Sequence, residues 1–264
     1  MVLTELGTLV SRYLQNAKGQ LMNKLLFIVV TTLISLGCSG SNSTEKAGFL
    51  KSRNEIFIDE LLNQAAKAVE RSNTSNLDEL VDQGLDVNAS GEHGYNLLYW
   101  ALRSSEPKSF EKLLRLGANP DDLSETGKSV TYLAADSNDS RYLSLALEYG
   151  ADVNGVSTAE MDTPIFRALG AKSLNNTLIL IKNDADVNFQ NKFGETPAMS
   201  AAALRNFTFV DFMIKNGADH CKVNRWNNDL FYRLKKAESL MDKSASEYQI
   251  VKRLLETLPS CVEY

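Results

Sequence analysis

The chain has 264 residues, 44% of them apolar and 23% charged, with a formal net charge of −5. That balance suits a folded domain with an ordinary core, and it supplies no cationic excess to neutralise phosphates, so nucleic acid is not the expected partner. Only two histidines and three cysteines are present, which excludes a histidine-rich metal centre and a disulfide-dense scaffold.

Residues 1–21 carry Glu5 within an amphipathic stretch and make a poor start for a secretory leader. Met22-Asn23-Lys24 is a better one, followed by the apolar run Leu25 to Leu36 and then Gly37-Cys38-Ser39-Gly40. A basic start, a short apolar segment and a small residue before the cut mark a secretory signal too short to cross a membrane. Residues 22–37 are therefore expected to be the signal. Residues 1–21 read as an extension from a mis-assigned start codon, with a genuine short extension as the alternative. A cysteine directly after the small residue resembles the bacterial lipoprotein signal, although Ser35-Leu36 reverses the usual order of aliphatic and small residues. The resemblance implies a lipid on Cys38 and a chain anchored in the bacterial cell envelope through that lipid only. Ser39, where Asp would favour inner-membrane retention, points to the outer membrane facing the periplasm. An ordinary signal that happens to contain a cysteine is the alternative. Residues 38–54 then read as a flexible tether. Arg12, Lys18 and Lys24 against Glu5 give the leader +2, so the mature chain carries −5 − 2 = −7.

Two amphipathic helices are expected from Phe57 to Val81, ahead of a pattern close to Gly-Ala-Asp-Val-Asn that returns along the rest of the chain. It begins at Gly84, Gly117, Gly150, Asp184 and Gly217, in steps of 33, 33, 34 and 33 residues. A second motif keeps the same phase: Gly94-Tyr-Asn-Leu-Leu-Tyr-Trp-Ala, Gly127-Lys-Ser-Val-Thr-Tyr-Leu-Ala, Met161-Asp-Thr-Pro-Ile-Phe-Arg-Ala and Gly194-Glu-Thr-Pro-Ala-Met-Ser-Ala, with a degenerate copy from Asn227. Thr163-Pro164 and Thr196-Pro197 place a hydroxyl at a helix N-cap and a proline at the first helical position, where its missing N–H is no loss. The glycine opening each first motif suits a left-handed residue after a helix. Between the motifs, apolar residues such as Phe110, Leu113 and Leu114 or Phe209, Phe212 and Met213 recur at helical spacing. One such pair cannot bury its apolar face alone, so neighbours must stack.

These two phased motifs resemble the ankyrin-repeat family, whose repeats read G-x-T-P-L-H-x-A and end in G-A-D-V-N. The resemblance implies an all-α ankyrin-repeat solenoid of about six helix pairs with short β-turn fingers over residues 55–258, and a C-terminal tail at 259–264. The His of T-P-L-H is replaced by Tyr99, Tyr132, Phe166, Met199 and Tyr232, so its polar relay is expected to be missing and packing to fill the space. The resemblance also implies a protein-binding face on the fingers and first helices. The residues mapped there are Glu92, His93, Tyr95, Arg103, Glu125, Lys128, Lys192, Phe193, Arg225 and Trp226. Aromatic residues and Arg are common at binding hot spots, but each aromatic here has a second reading as packing between fingers, and for Trp226 the two readings weigh equally.

No nucleophile elbow, metalloprotease helix or phosphate loop occurs, so no catalytic, cofactor or metal residue is assigned. His220 and Cys221 supply two neighbouring ligand types, short of the four of a structural zinc site. Asp86, Asp152 and Asp186 recur with the repeat and are read as turn residues. Cys221 and Cys261 remain as a candidate disulfide. Aligned last helices put them in successive fingers about 10 Å apart, beyond the roughly 7 Å limit on Cα separation, unless the segment after Pro259 folds back. Two unpaired thiols are the alternative. The expected function is a non-enzymatic, monomeric, protein-binding lipoprotein that scaffolds, protects or inhibits an envelope partner. The alternatives are an immunity protein against a periplasm-delivered toxin and an accessory subunit of an envelope enzyme.

Overall fold

The computed structural model describes residues 52–259 and Cys261, all within one compact unit, Phe49–Tyr264. The expectations for the leader, for lipidation of Cys38 and for most of the tether and tail lie outside the described residues. Ser52 reciprocally caps Glu55, so helical order begins at Arg53, near the end of the stretch read as tether.

A one-turn helix, α1 (Arg53–Ile56), precedes six helix pairs. They are α2 (Glu60–Glu70) with α3 (Thr74–Asp82), α4 (Leu97–Arg103) with α5 (Pro107–Arg115), and α6 (Val130–Ala134) with α7 (Arg141–Glu148). Next come α8 (Pro164–Gly170) with α9 (Leu174–Lys182), α10 (Pro197–Ala203) with α11 (Phe207–Lys215), and α12 (Leu230–Leu240) with α13 (Ser246–Thr257). The first helices pack in one row and most of the second helices in another. Their facing sides merge into one core that includes Phe57, Leu97, Phe110, Leu143, Ile165, Phe207 and Leu234. The expected all-α solenoid is present, and the described residues contain no strand.

The first motif works as its chemistry predicts. Gly84, Gly117, Gly150 and Gly217 all have positive φ, and Asp184 takes the same role at φ 64. The next N–H in each copy reaches back to the helix, as Ala151 N does to Ala146 O at 3.0 Å, which satisfies a carbonyl the helix leaves orphaned. The Asn that closes the motif ties one repeat to the next. Asn88 Nδ2 donates to Gly117 O (3.1 Å) while its Oδ1 accepts from Asn119 N (2.7 Å), and Asn188 repeats both bonds to Gly217 O and Asp219 N. Asp86, Asp152 and Asp186 each accept from the N–H two residues on, an Asx turn that holds the loop.

Four fingers close alike over five residues, by a bond such as Ser124 N to Lys128 O at 3.0 Å. The third needs one residue more: Ser157 N bonds to Asp162 O at 2.9 Å. That extra residue is the source of the single 34-residue step. It also shifts the start of α8, and Thr163 does not cap that helix with its side chain, contrary to expectation. Thr196 does cap α10, accepting from Met199 N at 3.3 Å.

The expected loss of the histidine relay needs a correction as well. Tyr99 OH donates to Lys128 O at 2.9 Å and reaches Ser124 Oγ at 3.2 Å, so a longer side chain rebuilds a polar link to the next finger. Tyr132 does so with the Asp162 carboxylate. Phe166 and Met199 fill their places by burial alone.

Candidate protein-binding face

Backbone bonds tie most neighbouring fingers: Glu125 N donates to His93 O (3.2 Å) and Arg225 N to Phe193 O (3.0 Å), while Thr158 N of the longer third finger donates to Gly127 O (2.9 Å), one residue out of that register. Residues one repeat apart therefore lie side by side at the first and last pairs of fingers, and the tips form two columns interrupted by the longer third finger. The first column runs Glu92, Glu125, Thr158, Lys192, Arg225, and the second His93, Thr126, Ala159, Phe193, Trp226. The row is acidic at its start and cationic with aromatics at its end.

The sequence-predicted residues separate into two groups. At the start, His93 Nδ1 lies 3.0 Å from Glu125 Oε2, Glu92 is exposed, and Lys128 is half-buried with its carbonyl engaged by Tyr99. Arg103, on α4, lies over the Trp100 ring at 4.8 Å. Tyr95 is only 6% exposed and stands edge-on to Tyr99 at 5.3 Å, so it packs between fingers and offers a partner little surface.

At the other end the predicted residues converge. The rings of Phe193 and Trp226 stack at 6.2 Å with their planes 18° apart. The Arg225 guanidinium covers both, 4.6 Å from the first centroid and 4.2 Å from the second, a contact in which the ring faces attract the cation. Lys192 Nζ sits 5.3 Å from the Phe193 ring and 3.5 Å from Glu160. Trp226 combines the two readings left open for it, since it stacks on its neighbour and yet keeps 55% of its surface exposed.

Beneath this stack, between α10 and α12, is a groove of about 370 Å³ that includes Arg205, Trp226, Tyr232, Arg233, Lys236 and Leu240 in its lining. Most of these residues escaped the sequence reading. Arg205 stands in the left-handed turn after α10, and nothing local distinguishes it from any surface arginine. Tyr232 occupies a position buried in earlier repeats, but no further finger among the described residues covers it, and it is 50% exposed. Arg233 is held by Glu195, which is itself buried and accepts from Asn224 Nδ2 at 2.6 Å; this finger residue braces two repeats.

Two half-buried acidic side chains are structural. Asp136, on the turn after α6, pairs with Arg167 of α8. Asp162 of the third finger is pushed up to about 6, first by burial and further by Glu160, against the opposing pull of the Tyr132 hydroxyl, Arg167 and Lys128. Burial likewise raises the Tyr132 hydroxyl, which Asp162 faces.

At the end of the chain the structure joins Cys221 to Cys261 in a disulfide with Cα atoms 5.4 Å apart. Regular finger spacing is not kept there. The backbone is extended at Leu258, Pro259 O accepts from His220 Nε2 at 2.9 Å, and the tail turns back onto the last Gly-Ala-Asp motif. Ligand atoms of His220, Cys221 and Cys261 lie within 4.8 Å of one another, but sulfurs bonded to each other are not the thiolates a metal requires. No described helix is long and apolar enough to cross a membrane.

The family model for ankyrin repeats, in three copies, matches residues 132–225. The chain is 31% identical over 144 residues to Protein PhlB of Serratia liquefaciens, a stretch covering 54% of this chain and 63% of that one. Ankyrin repeat domain-containing protein SAT10 of Stachybotrys chartarum is 31% identical over 109 residues, 41% of this chain and 6% of that protein. The chain thus spans less than two thirds of these relatives. Among solved structures, an ankyrin repeat domain from Acinetobacter baumannii AYE superimposes with a TM-score of 0.64 at 18% identity, over 73% of this chain and 96% of that one. The ankyrin repeat protein EF0377 does so with the same score and identity over 75% and 98%. Phased motifs, stacked helix pairs, the matched family model and the shared fold agree: this chain carries an ankyrin-repeat domain.

Proposed function

We propose that the chain is a non-enzymatic protein-binding module of the bacterial cell envelope, held at the membrane by a lipid on Cys38, and that it scaffolds, protects or inhibits one partner. The observation that carries the binding role is the Phe193–Arg225–Trp226 stack. It places a half-exposed tryptophan and a stacked arginine, residue types enriched at hot spots, on fingers that backbone hydrogen bonds keep rigid. Rigid presentation lowers the entropy lost on binding. The lipoprotein reading rests on the Lys24, Leu25–Leu36, Gly37-Cys38 order of the leader. Lipidation with more than one acyl chain gives stable membrane attachment without a spanning helix.

Affinity capture of the whole chain from its native envelope, followed by mass spectrometry, tests the binding role. One stoichiometric protein, lost on Trp226→Ala, is expected; recovery of no protein above background rejects the reading. Metabolic labelling with a lipid precursor tests the anchor, because Cys38→Ala should abolish the label and release the chain from membranes. Wild-type chain that carries no lipid would reduce the leader to an ordinary signal.

A further inference from the structure

The cationic end of the finger row continues into the groove between α10 and α12, and the two together have a composition that selects one kind of occupant. Three large apolar side chains lining the groove remain well exposed: Trp226 at 55%, Tyr232 at 50% and Leu240 at 67%. Three cations line it, Arg205, Arg233 and Lys236, and no carboxylate does. Glu195 occupies Arg233, whereas no acidic side chain among the described residues lies within ion-pairing distance of Arg205, Lys236 or Arg225. In a chain of net charge −5, a set of unpaired cations around exposed apolar surface runs against the average. Ring contacts hold Arg225 in place and leave its planar donors for a ligand.

We infer that this C-terminal groove binds an acidic segment of a protein partner that carries an aromatic or aliphatic anchor. The anchor seats against Trp226, Tyr232 and Leu240, and flanking Asp or Glu side chains meet Arg205, Arg225 and Lys236. The finger row sets the direction of approach. Glu92 and Glu125 repel an acidic segment at one end, while Arg225, which no described carboxylate pairs, attracts it at the other, so electrostatics favour docking at the last two repeats. A volume near 370 Å³ accommodates a few side chains, and its concave lining suits a chain segment better than a lipid surface. This inference rests on the protein-binding reading above and adds the chemistry of the partner and its place on the array.

The test uses the whole chain, immobilised and panned against a random peptide library, with the enriched peptides titrated at low and high salt. Enriched peptides are expected to combine clustered Asp or Glu with one aromatic or aliphatic residue. Their affinity should drop about tenfold in Trp226→Ala and in the double variant Arg205→Glu/Lys236→Glu, weaken with salt, and stay unchanged in Lys182→Glu on α9. Circular dichroism and thermal melts identify any variant that has lost its fold, and for such a variant Arg205→Gln/Lys236→Gln replaces the reversal. Neutral or basic enriched peptides, affinity indifferent to the groove variants, or no enrichment at all would overturn the inference. So would phosphatidylglycerol vesicles that bind in a groove-dependent way and compete with the peptides. Peptides that enrich but map to the first two fingers would overturn it while leaving the protein-binding reading intact. Failure to capture any partner from the native envelope is the separate result that removes both.

Discussion

Substitutions at equivalent positions show how one repeat position tolerates different residues for different physical reasons. Tyr99, Tyr132, Phe166 and Met199 share a register; the tyrosines bond forward to the next finger, and the other two only pack. Asp162 is the acceptor for Tyr132, and its burial has a consequence for pH. Its folded pKa of about 6 lies above the ordinary 3.8, so the folded state holds the proton more tightly than the unfolded chain does. The native state binds more protons between the two values, and stability therefore falls as pH rises through that window, then levels off above it. Asp162→Asn keeps an acceptor for Tyr132 and removes the half-buried charge. Thermal melts should show the variant more stable than wild type at pH 7 by about 1 kcal/mol, allowing for solvent access, with the gap closing below about pH 4. An unchanged gap across that range would show that Asp162 does not titrate as its surroundings dictate.

The two families of glycine illustrate how elements impose different demands. At Gly150, as at the other helix-ending glycines, a Cβ would meet nothing within 4 Å; only the positive φ matters, and Asp184 fills the equivalent place at φ 64. At Gly127 the φ is positive too, but a Cβ would come within 2.0 Å of Thr158 Oγ1 and 3.0 Å of Ala159 N in the next finger. Asp184→Gly should consequently stabilise the array by about 0.5–1 kcal/mol through relief of the left-handed backbone. Gly127→Ala should destabilise it by about 2 kcal/mol or more, since strain and overlap combine. Urea denaturation of both variants distinguishes the cases; equal and opposite small effects would mean that finger spacing yields easily. The third finger, with its added residue and Met161 at φ 54, shows one way the array absorbs an insertion.

Among the described residues the main helix contacts lie within a repeat or between neighbouring repeats, so stability is distributed along the solenoid. The Cys221–Cys261 bridge spans 40 residues and encloses the last described helix pair, beyond which no described helix stacks on α12 and α13. Its reduction should cost about 3–4 kcal/mol in the chain-entropy model. The loss should appear locally, as faster amide exchange across α12 and α13 with α2 to α7 little changed. Peptide mapping without reduction checks the linkage, and two freely alkylated thiols would refute it. Because α12 forms one wall of the groove, the bridge also connects the redox state of the compartment to the proposed binding end.

The repeat length, the helix pairs, the turn chemistry of each Gly-Ala-Asp motif and the columns of finger residues were all legible in the sequence. Each follows from local backbone preferences repeated at a fixed period, and stacking preserves that period. The pairing of Phe193 with Trp226 was equally implicit, since the two positions are 33 residues apart. Tertiary structure decided which finger residues remain for a partner. Tyr95 reads as surface but is buried between repeats, whereas Tyr232 reads as core and is exposed because no described finger covers it. The groove between α10 and α12 likewise depends on Arg205, Tyr232 and Leu240 converging across repeats. Burial is set by what stacks against a residue and by where stacking stops, and no local pattern in the chain encodes that.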